Sequence, residues 1–177
     1  MVKEISIEKA TANDSQLVSD LSIVTFIETY RGTCTDNELE AYMEAYFNER
    51  QIEDELSGNA DQYFIAYADG FPAGYIRIIE DYSDYPDIIK YKALELKRIY
   101  VLQDYQSQKV GAALMRFALQ LAIKKDFEAI WLSVWEENVR GINFYSKFGF
   151  KDTGCRHTFY IGSAAQTDNW MINLLPE

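Results

Sequence analysis

Leu94 to Leu114, LELKRIYVLQDYQSQKVGAAL, is the stretch whose residue types suit holding a charged ligand. Leu94, Leu96, Ile99, Tyr100 and Val101 form a run rich in branched and aromatic residues, the pattern of a strand. Gln103 to Ser107 is a short polar turn. From Lys109 the period changes: Val110, Leu114, Phe117, Ala118 and Leu121 recur at helical spacing. A strand therefore runs into a helix through a loop ending near Gly111. The first turn of such a helix leaves backbone N–H groups without partners and carries the positive end of the helix dipole. Phosphate fits there without a positive side chain. Gly111 has no Cβ, so an anion can approach the backbone closely. The loop lacks the Gly-Lys-Ser/Thr ending of a P-loop, and its single glycine does not make a three-glycine dinucleotide fingerprint. Alone, it is equally an ordinary strand-to-helix connection.

The composition narrows the choices. With 177 residues, 48% hydrophobic and 15% aromatic, the chain is expected to fold as one domain, 1–177, with a sizeable core. No apolar run reaches a membrane span, and the charged, alternating MVKEISIEKA does not read as a signal peptide. Cys34 and Cys155 have neither zinc spacing nor disulfide density, so a reduced cytoplasmic setting is expected. His157 is the sole histidine, which argues against a His-based metal site; it is expected to be a hydrogen-bonded core residue, with a second proton carrier as the alternative. The net charge of −11 works against nucleic acid as a partner. It suits a small cationic substrate by raising its local concentration, though many proteins are acidic for solubility alone.

The remaining elements must position the central strand and helix. Val2 to Lys9 reads as a first strand. Asn13 or Asp14 caps a helix to about Tyr30, with a stripe at Leu17, Leu21, Val24 and Ile27 or Glu28. Helices follow at Thr35–Phe47 and Glu49–Leu56. Tyr63–Tyr67 and Ala73–Ile79 are strands joined at Asp69-Gly70, a hairpin signal. After an acidic, Tyr-rich loop, Glu80–Asp87, come the central strand and helix, then a fifth strand at Ala129–Val134. Asn138 caps a helix reaching Phe148, with Gly149 as its stop. Phe150–Tyr160 and Asp168–Leu175 close the chain. This order implies an α/β (α+β) arrangement, one mixed sheet with helices on both faces.

The segment Asn138-Val139-Arg140-Gly141-Ile142-Asn143-Phe144-Tyr145-Ser146-Lys147-Phe148-Gly149-Phe150 makes the reading specific. With the 106–111 loop it resembles the GNAT family of N-acetyltransferases. That family has Asn, a small residue three on, Phe-Tyr and then Gly-Phe in the helix after its fifth strand. Its loop pattern, Arg/Gln-x-x-Gly-x-Gly/Ala, reads here Gln106-Ser107-Gln108-Lys109-Val110-Gly111, with Lys109 replacing the first Gly. The match covers about Leu94 to Phe150. More narrowly, the chain is similar to the bacterial PaiA group of polyamine acetyltransferases. That likeness rests on Thr25-Phe26, Thr29-Tyr30, Tyr46-Phe47, Trp131-Leu132, Val134-Trp135-Glu136, Thr158-Phe159-Tyr160, Gly162 and Gln166-Thr167-Asp168.

The resemblance implies a twisted, mostly antiparallel sheet of about seven strands. It implies acetyl-CoA as co-substrate, no metal, and a primary amine attacking the thioester. The pantetheine arm would enter between the fourth and fifth strands, bonded by the backbone of Ile99, Tyr100 and Val101. N–H groups from Gln106, Ser107, Gln108, Lys109, Val110, Gly111 and Ala112 would hold the pyrophosphate, and Asn138 the pantetheine. Tyr145 would protonate the departing thiolate. An amine of pKa near 10.4 is neutral in only about one molecule per few thousand at pH 7, so a proton acceptor is needed. Glu95 is the candidate, through one water; its other reading is a partner of Lys97 or Arg98 that merely solvates the strand. Glu28, Tyr30, Tyr46, Asp81, Asp84 and Trp135 are the candidates for binding a polyamine such as spermidine, by charge and cation–π contact. The competing acceptor is a protein N-terminus, and the competing class is a non-catalytic acyl-CoA-binding module. A homodimer is compatible with the sequence.

Overall fold

The computed structural model describes residues 4–58, 61–80, 85 and 88–176. In chain order the elements are β1 (Ile5–Lys9), α1 (Ser15–Tyr30), α2 (Asp36–Tyr46), α3 (Glu49–Ser57), β2 (Asp61–Ala68), β3 (Phe71–Ile79), β4 (Ala93–Val101), α4 (Val110–Lys124), β5 (Ala129–Trp135), α5 (Val139–Lys147), β6 (Lys151–Ile161) and β7 (Ala164–Leu174). The sheet runs β1-β2-β3-β4-β5-β7-β6. Every neighbouring pair is antiparallel except β4–β5. This is the mixed, mostly antiparallel seven-stranded sheet, with helices on both faces, that the resemblance implies.

Local chemistry accounts for the hairpins. Ala68 pairs with Phe71, leaving Asp69 (φ 52°) and Gly70 (φ 81°) as a two-residue turn with both residues left-handed, the geometry that matches strand twist. Ile161 pairs with Ala164 across a second two-residue turn, Gly162-Ser163, in which Gly162 (φ 59°) alone is left-handed. β7 thus begins four residues before the expected Asp168, because Ala164 and Ala165 have low strand propensity but are recruited by the hairpin.

One face of the sheet packs on α4: Ile76, Ile78, Leu94, Leu96, Ile130 and Leu132 meet Val110, Leu114, Met115 and Ala118 in the main core. The other face takes α1 and α3, where Val18, Leu21 and Ile52 meet Tyr63, Ile65 and Tyr75. The buried side of α1 is Val18, Leu21, Ser22, Thr25, Phe26 and Tyr30, and Val24 is exposed. The expected stripe was rotated because Ser22, Thr25 and Thr29 bury their hydroxyls by bonding the carbonyl four residues back, at 2.7–2.8 Å. A third aromatic cluster, Phe26, Tyr30, Tyr42 and Phe47 with Trp135 and Phe159, joins α1 and α2 to the β5–β7–β6 end of the sheet. No helix among the described residues is long and apolar enough to cross a membrane.

Candidate active site between strands β4 and β5

β4 and β5 pair only at Ala93–Glu95 against Ala129–Trp131. Beyond that point β4 stays with β3 as far as Val101, while β5 stays with β7 as far as Trp135. The sheet opens there as a V. A bulge assists: Arg77 pairs with Arg98 and Ile78 with Leu96, so Lys97 is an extra residue that bends β4. The N–H of Leu102 donates to the Ala73 carbonyl at 3.0 Å. Because peptide groups alternate along an antiparallel ladder, Tyr100 also turns its backbone to β3, whereas Ile99 and Val101 turn theirs to the open edge. Tyr100 is therefore not an open backbone partner, contrary to the expectation; its contribution is its phenol. The Val101 carbonyl accepts from the Gln106 side chain at 3.2 Å, which leaves its N–H free.

The loop below the V has Ser107 at φ 67° and Lys109 at φ 68°. Lys109 thus keeps the left-handed path that a glycine would take freely, at a cost of about 1 kcal/mol. The first helical bond of α4 is Ala113 N–H to Lys109 carbonyl, at 2.9 Å. The N–H groups of Lys109, Val110, Gly111 and Ala112 have no acceptor among the described residues. Those of Gln106 and Gln108 are used within the loop, on Gln103 (3.1 Å) and Tyr105 (3.3 Å). Gln108 bonds the Asp104 carbonyl through its side chain, and the Val110 side chain is fully buried in the core. Gln106 and Gln108 therefore depart from the expected donor run, whereas Val110 keeps its N–H open although its side chain is buried. A cation that sequence reasoning passed over, Arg140, lies on the cleft wall bonded to the Gln106 side chain. A methyl on Gly111 would sit 3.6 Å from Phe144 and Val101, an ordinary contact, so the fold has room for Ala there.

Asn138 accepts the Gly141 N–H at 2.8 Å and so caps α5. A Cβ at Gly141 would stand 2.7 Å from Asn138 Nδ2, which is why a small residue must follow the Asn by three. The Asn138 amide N–H groups, on the cleft wall, have no acceptor among the described residues.

One continuous cleft of about 1360 Å³ holds these parts together. Glu95, Ile99, Tyr100, Val101, Gln106, Ser107, Lys109, Gly111, Ala112, Asn138, Tyr145, Glu28, Tyr30 and Trp135 all line it. Tyr46 does not: it is 51% exposed and leans on Tyr42. Asp81 and Asp84 lie outside the described residues. Glu28 accepts the Gln103 N–H at 3.1 Å, tying α1 to the turn after β4. Glu95 is 3.1 Å from Lys97, its side chain 13% exposed. Tyr30 packs against Trp135 at 5.5 Å and edge-on to Phe159 at 6.0 Å. His157 is exposed and stacks on Trp170 at 6.3 Å, so it is not the core histidine expected.

Register places Glu95 beside Trp131, Trp135 beside Asp168, and Asp168 beside His157, all on one face of the sheet. Asp168 was not singled out from the sequence as a site residue. Burial pushes its carboxyl above the usual range, against the Ser133 hydroxyl and the charges of His157 and Lys97. Its Oδ1 is buried without a hydrogen-bond partner among the described residues. The Tyr145 phenol is pushed above the ordinary range by burial first and by Asp168 second. Tyr30 moves the same way by burial and then Asp168, opposed by a hydrogen bond from Tyr100. Two phenols thus stand within electrostatic reach of one carboxylate. No group of three or more metal-ligating side chains occurs among the described residues.

Residues 24–150 match the model of the acetyltransferase (GNAT) family. The chain belongs to the GNAT family. An N-acetyltransferase of Mycobacterium tuberculosis is 30% identical over 135 residues, 76% of this chain and 81% of that one. The spermidine N(1)-acetyltransferase of Thermoplasma acidophilum is 28% identical over 151 residues, 83% of this chain and 88% of that one. Among solved structures, a PaiA N-acetyltransferase of T. acidophilum in complex with coenzyme A superposes with a TM-score of 0.77 at 22% identity, over 97% of this chain and 99% of that one. The superposition shows that the two chains share a fold over nearly their full lengths.

Proposed function

We propose that this GNAT acetyltransferase moves the acetyl group of acetyl-CoA to a primary amine, with a polyamine such as spermidine or spermine as the favoured acceptor. One observation carries the reading: the start of α4, its first four N–H groups unpaired among the described residues, shares one cleft with an open strand edge, the buried Tyr145 phenol and the carboxylates Glu95 and Asp168. Acetyl-CoA supplies an activated acyl group on a thiol leaving group. Lys109, Val110, Gly111 and Ala112 offer their N–H groups to its diphosphate, with Lys109 and Arg140 adding positive charge. Ile99 and Val101 offer the open backbone edge to the amides of its arm, and Asn138 offers its side-chain N–H groups. Tyr145 donates a hydrogen bond to the departing sulfur. Glu95 accepts the amine's proton through a water.

The net charge of −11 and the aromatic wall support a small cationic acceptor. The similarity to a spermidine acetyltransferase points the same way. The test is an acetyl-transfer assay over polyamines, amino acids and N-terminal peptides. Spermidine or spermine should give the highest kcat/KM. A peptide amine giving the highest value would move the reading to protein N-termini. Coenzyme binding without transfer to any amine would leave only an acyl-CoA-binding module.

A further inference from the structure

We propose that Asp168 is the carboxylate that receives the acceptor's ammonium group, with the Tyr30–Trp135–Phe159 wall taking the adjoining methylenes. This assignment rests on the amine-acetyltransferase reading above and names the recognition site within it. Asp168 sits near the start of the sheet-bound part of the β5–β7 ladder, opposite Trp135 on β5 and His157 on β6, so it faces the cleft from the centre of three strands. Its Oδ1 is fully buried with no hydrogen-bond partner among the described residues. A buried charged acceptor left bare costs more than a neutral one, so such an atom calls for a donor that the free chain does not supply.

The protein's own cations do not fill the role. Lys97 is engaged with Glu95 at 3.1 Å, and neither Lys97 nor His157 comes within ion-pair distance of Asp168 among the described residues. The neighbours are the Ser133 hydroxyl, neutral phenols and ring faces, with Tyr30 against Trp135 at 5.5 Å and Phe159 at 6.0 Å, and none of them carries a positive charge. An alkylammonium supplies both missing pieces: a charged N–H for Oδ1, and a charge and apolar chain that aromatic faces attract. The carboxylate's charge acts on the Tyr145 phenol, so an amine held there lies near the acyl-transfer point. Glu95, already paired, is the weaker of the two carboxylates as a cation anchor.

The test is Asp168→Asn, which keeps the shape and removes the charge. Spermidine titrated calorimetrically into the CoA-loaded protein should bind about 10- to 100-fold more weakly, the scale of a lost charge-assisted hydrogen bond. KM for spermidine should rise in parallel, kcat should change less, and CoA affinity should stay within about two-fold, since Asp168 makes no coenzyme contact in this account. A second variant, Ser133→Lys, brings an intramolecular ammonium beside the same carboxylate from an exposed position and should weaken spermidine binding to a similar degree. Unchanged spermidine affinity in either variant, with CoA binding intact, overturns the assignment. The two readings fail differently. A wild-type protein that acetylates spermidine while ignoring Asp168 sinks only this inference; one that binds CoA but transfers to no amine sinks the proposed function.

Discussion

Replacing Tyr145 by Phe removes one hydroxyl and little else, because the ring packs at 5.6 Å from Phe144 and 6.1 Å from Phe150 whether or not it carries oxygen. The size of the loss follows from acidity. A free phenol has a pKa near 10 and a free thiol near 8.5, so full proton transfer to the thiolate is uphill by about 2 kcal/mol even in water. Burial and the Asp168 charge push the Tyr145 phenol higher still, which makes it a worse acid and a persistent donor. Its contribution is then a hydrogen bond to sulfur as negative charge develops, worth about 1.5–3 kcal/mol, or about 10- to 150-fold in kcat. That reaches only the bottom edge of the general-acid range of about 10²–10⁴-fold and lies mostly below it. Thiol release would be followed from pH 6 to 10, with CoA affinity measured by calorimetry. The expected result is a kcat loss of that size, CoA affinity within about two-fold, and no limb from phenol ionisation in the wild type up to pH 10. An unchanged kcat refutes the role. So does a wild-type decline with an apparent pKa well below 10 that the Phe variant lacks, because it would mean the phenol is not held protonated.

Three further outcomes follow from the geometry. Gly111→Glu should weaken CoA binding by about 100-fold or more, since the side chain adds negative charge and bulk at the phosphate amides; Gly111→Ala, whose methyl meets Phe144 and Val101 at an ordinary 3.6 Å, should bind normally and gain about 0.4–1 kcal/mol of stability, and equal CoA affinity across all three proteins would be incompatible with the loop assignment. Glu95→Gln should lose activity at neutral pH and recover it toward pH 10, where more amine is already neutral; a deficit that is flat with pH would leave Glu95 as the partner of Lys97 alone. Glu38 accepts from Ser163 Oγ (2.6 Å) and N–H (2.7 Å) and from Thr35, which holds its pKa down at about 2. A depressed folded pKa contributes stability above the unfolded value and loses it as pH falls. Urea midpoints should therefore drop between about pH 4.5 and 2 more steeply in the wild type than in Glu38→Gln; parallel profiles would show that this link between α2 and the β6–β7 turn carries no stability.

Much of the site was legible because its determinants are local. The change of period at Lys109 marks the start of α4 within a residue, and the Asn138-to-Gly141 spacing is a cap with a steric reason inside one turn. The Asp69-Gly70 hairpin is likewise decided by two residues. What the sequence hid depends on partners far along the chain. Asp168 looks like any polar residue entering a strand, and only its register against Trp135 and His157 brings it to the cleft. Which of Ile99, Tyr100 and Val101 keeps a free backbone edge is set by pairing with β3, and no local pattern encodes it. The buried side of α1 was misread because hydrophobic periodicity has no means of counting Ser and Thr that satisfy themselves on their own helix. Tyr46 and Trp135 have similar composition around them, yet tertiary packing leaves one outside the cleft and the other on its wall.

A crystal structure of the protein with CoA tests the account at its root. The account predicts the diphosphate within hydrogen-bonding distance of the Lys109–Ala112 amides, and the pantetheine in the V with its sulfur beside Tyr145. A diphosphate bound elsewhere, with those amides facing only water, would contradict it.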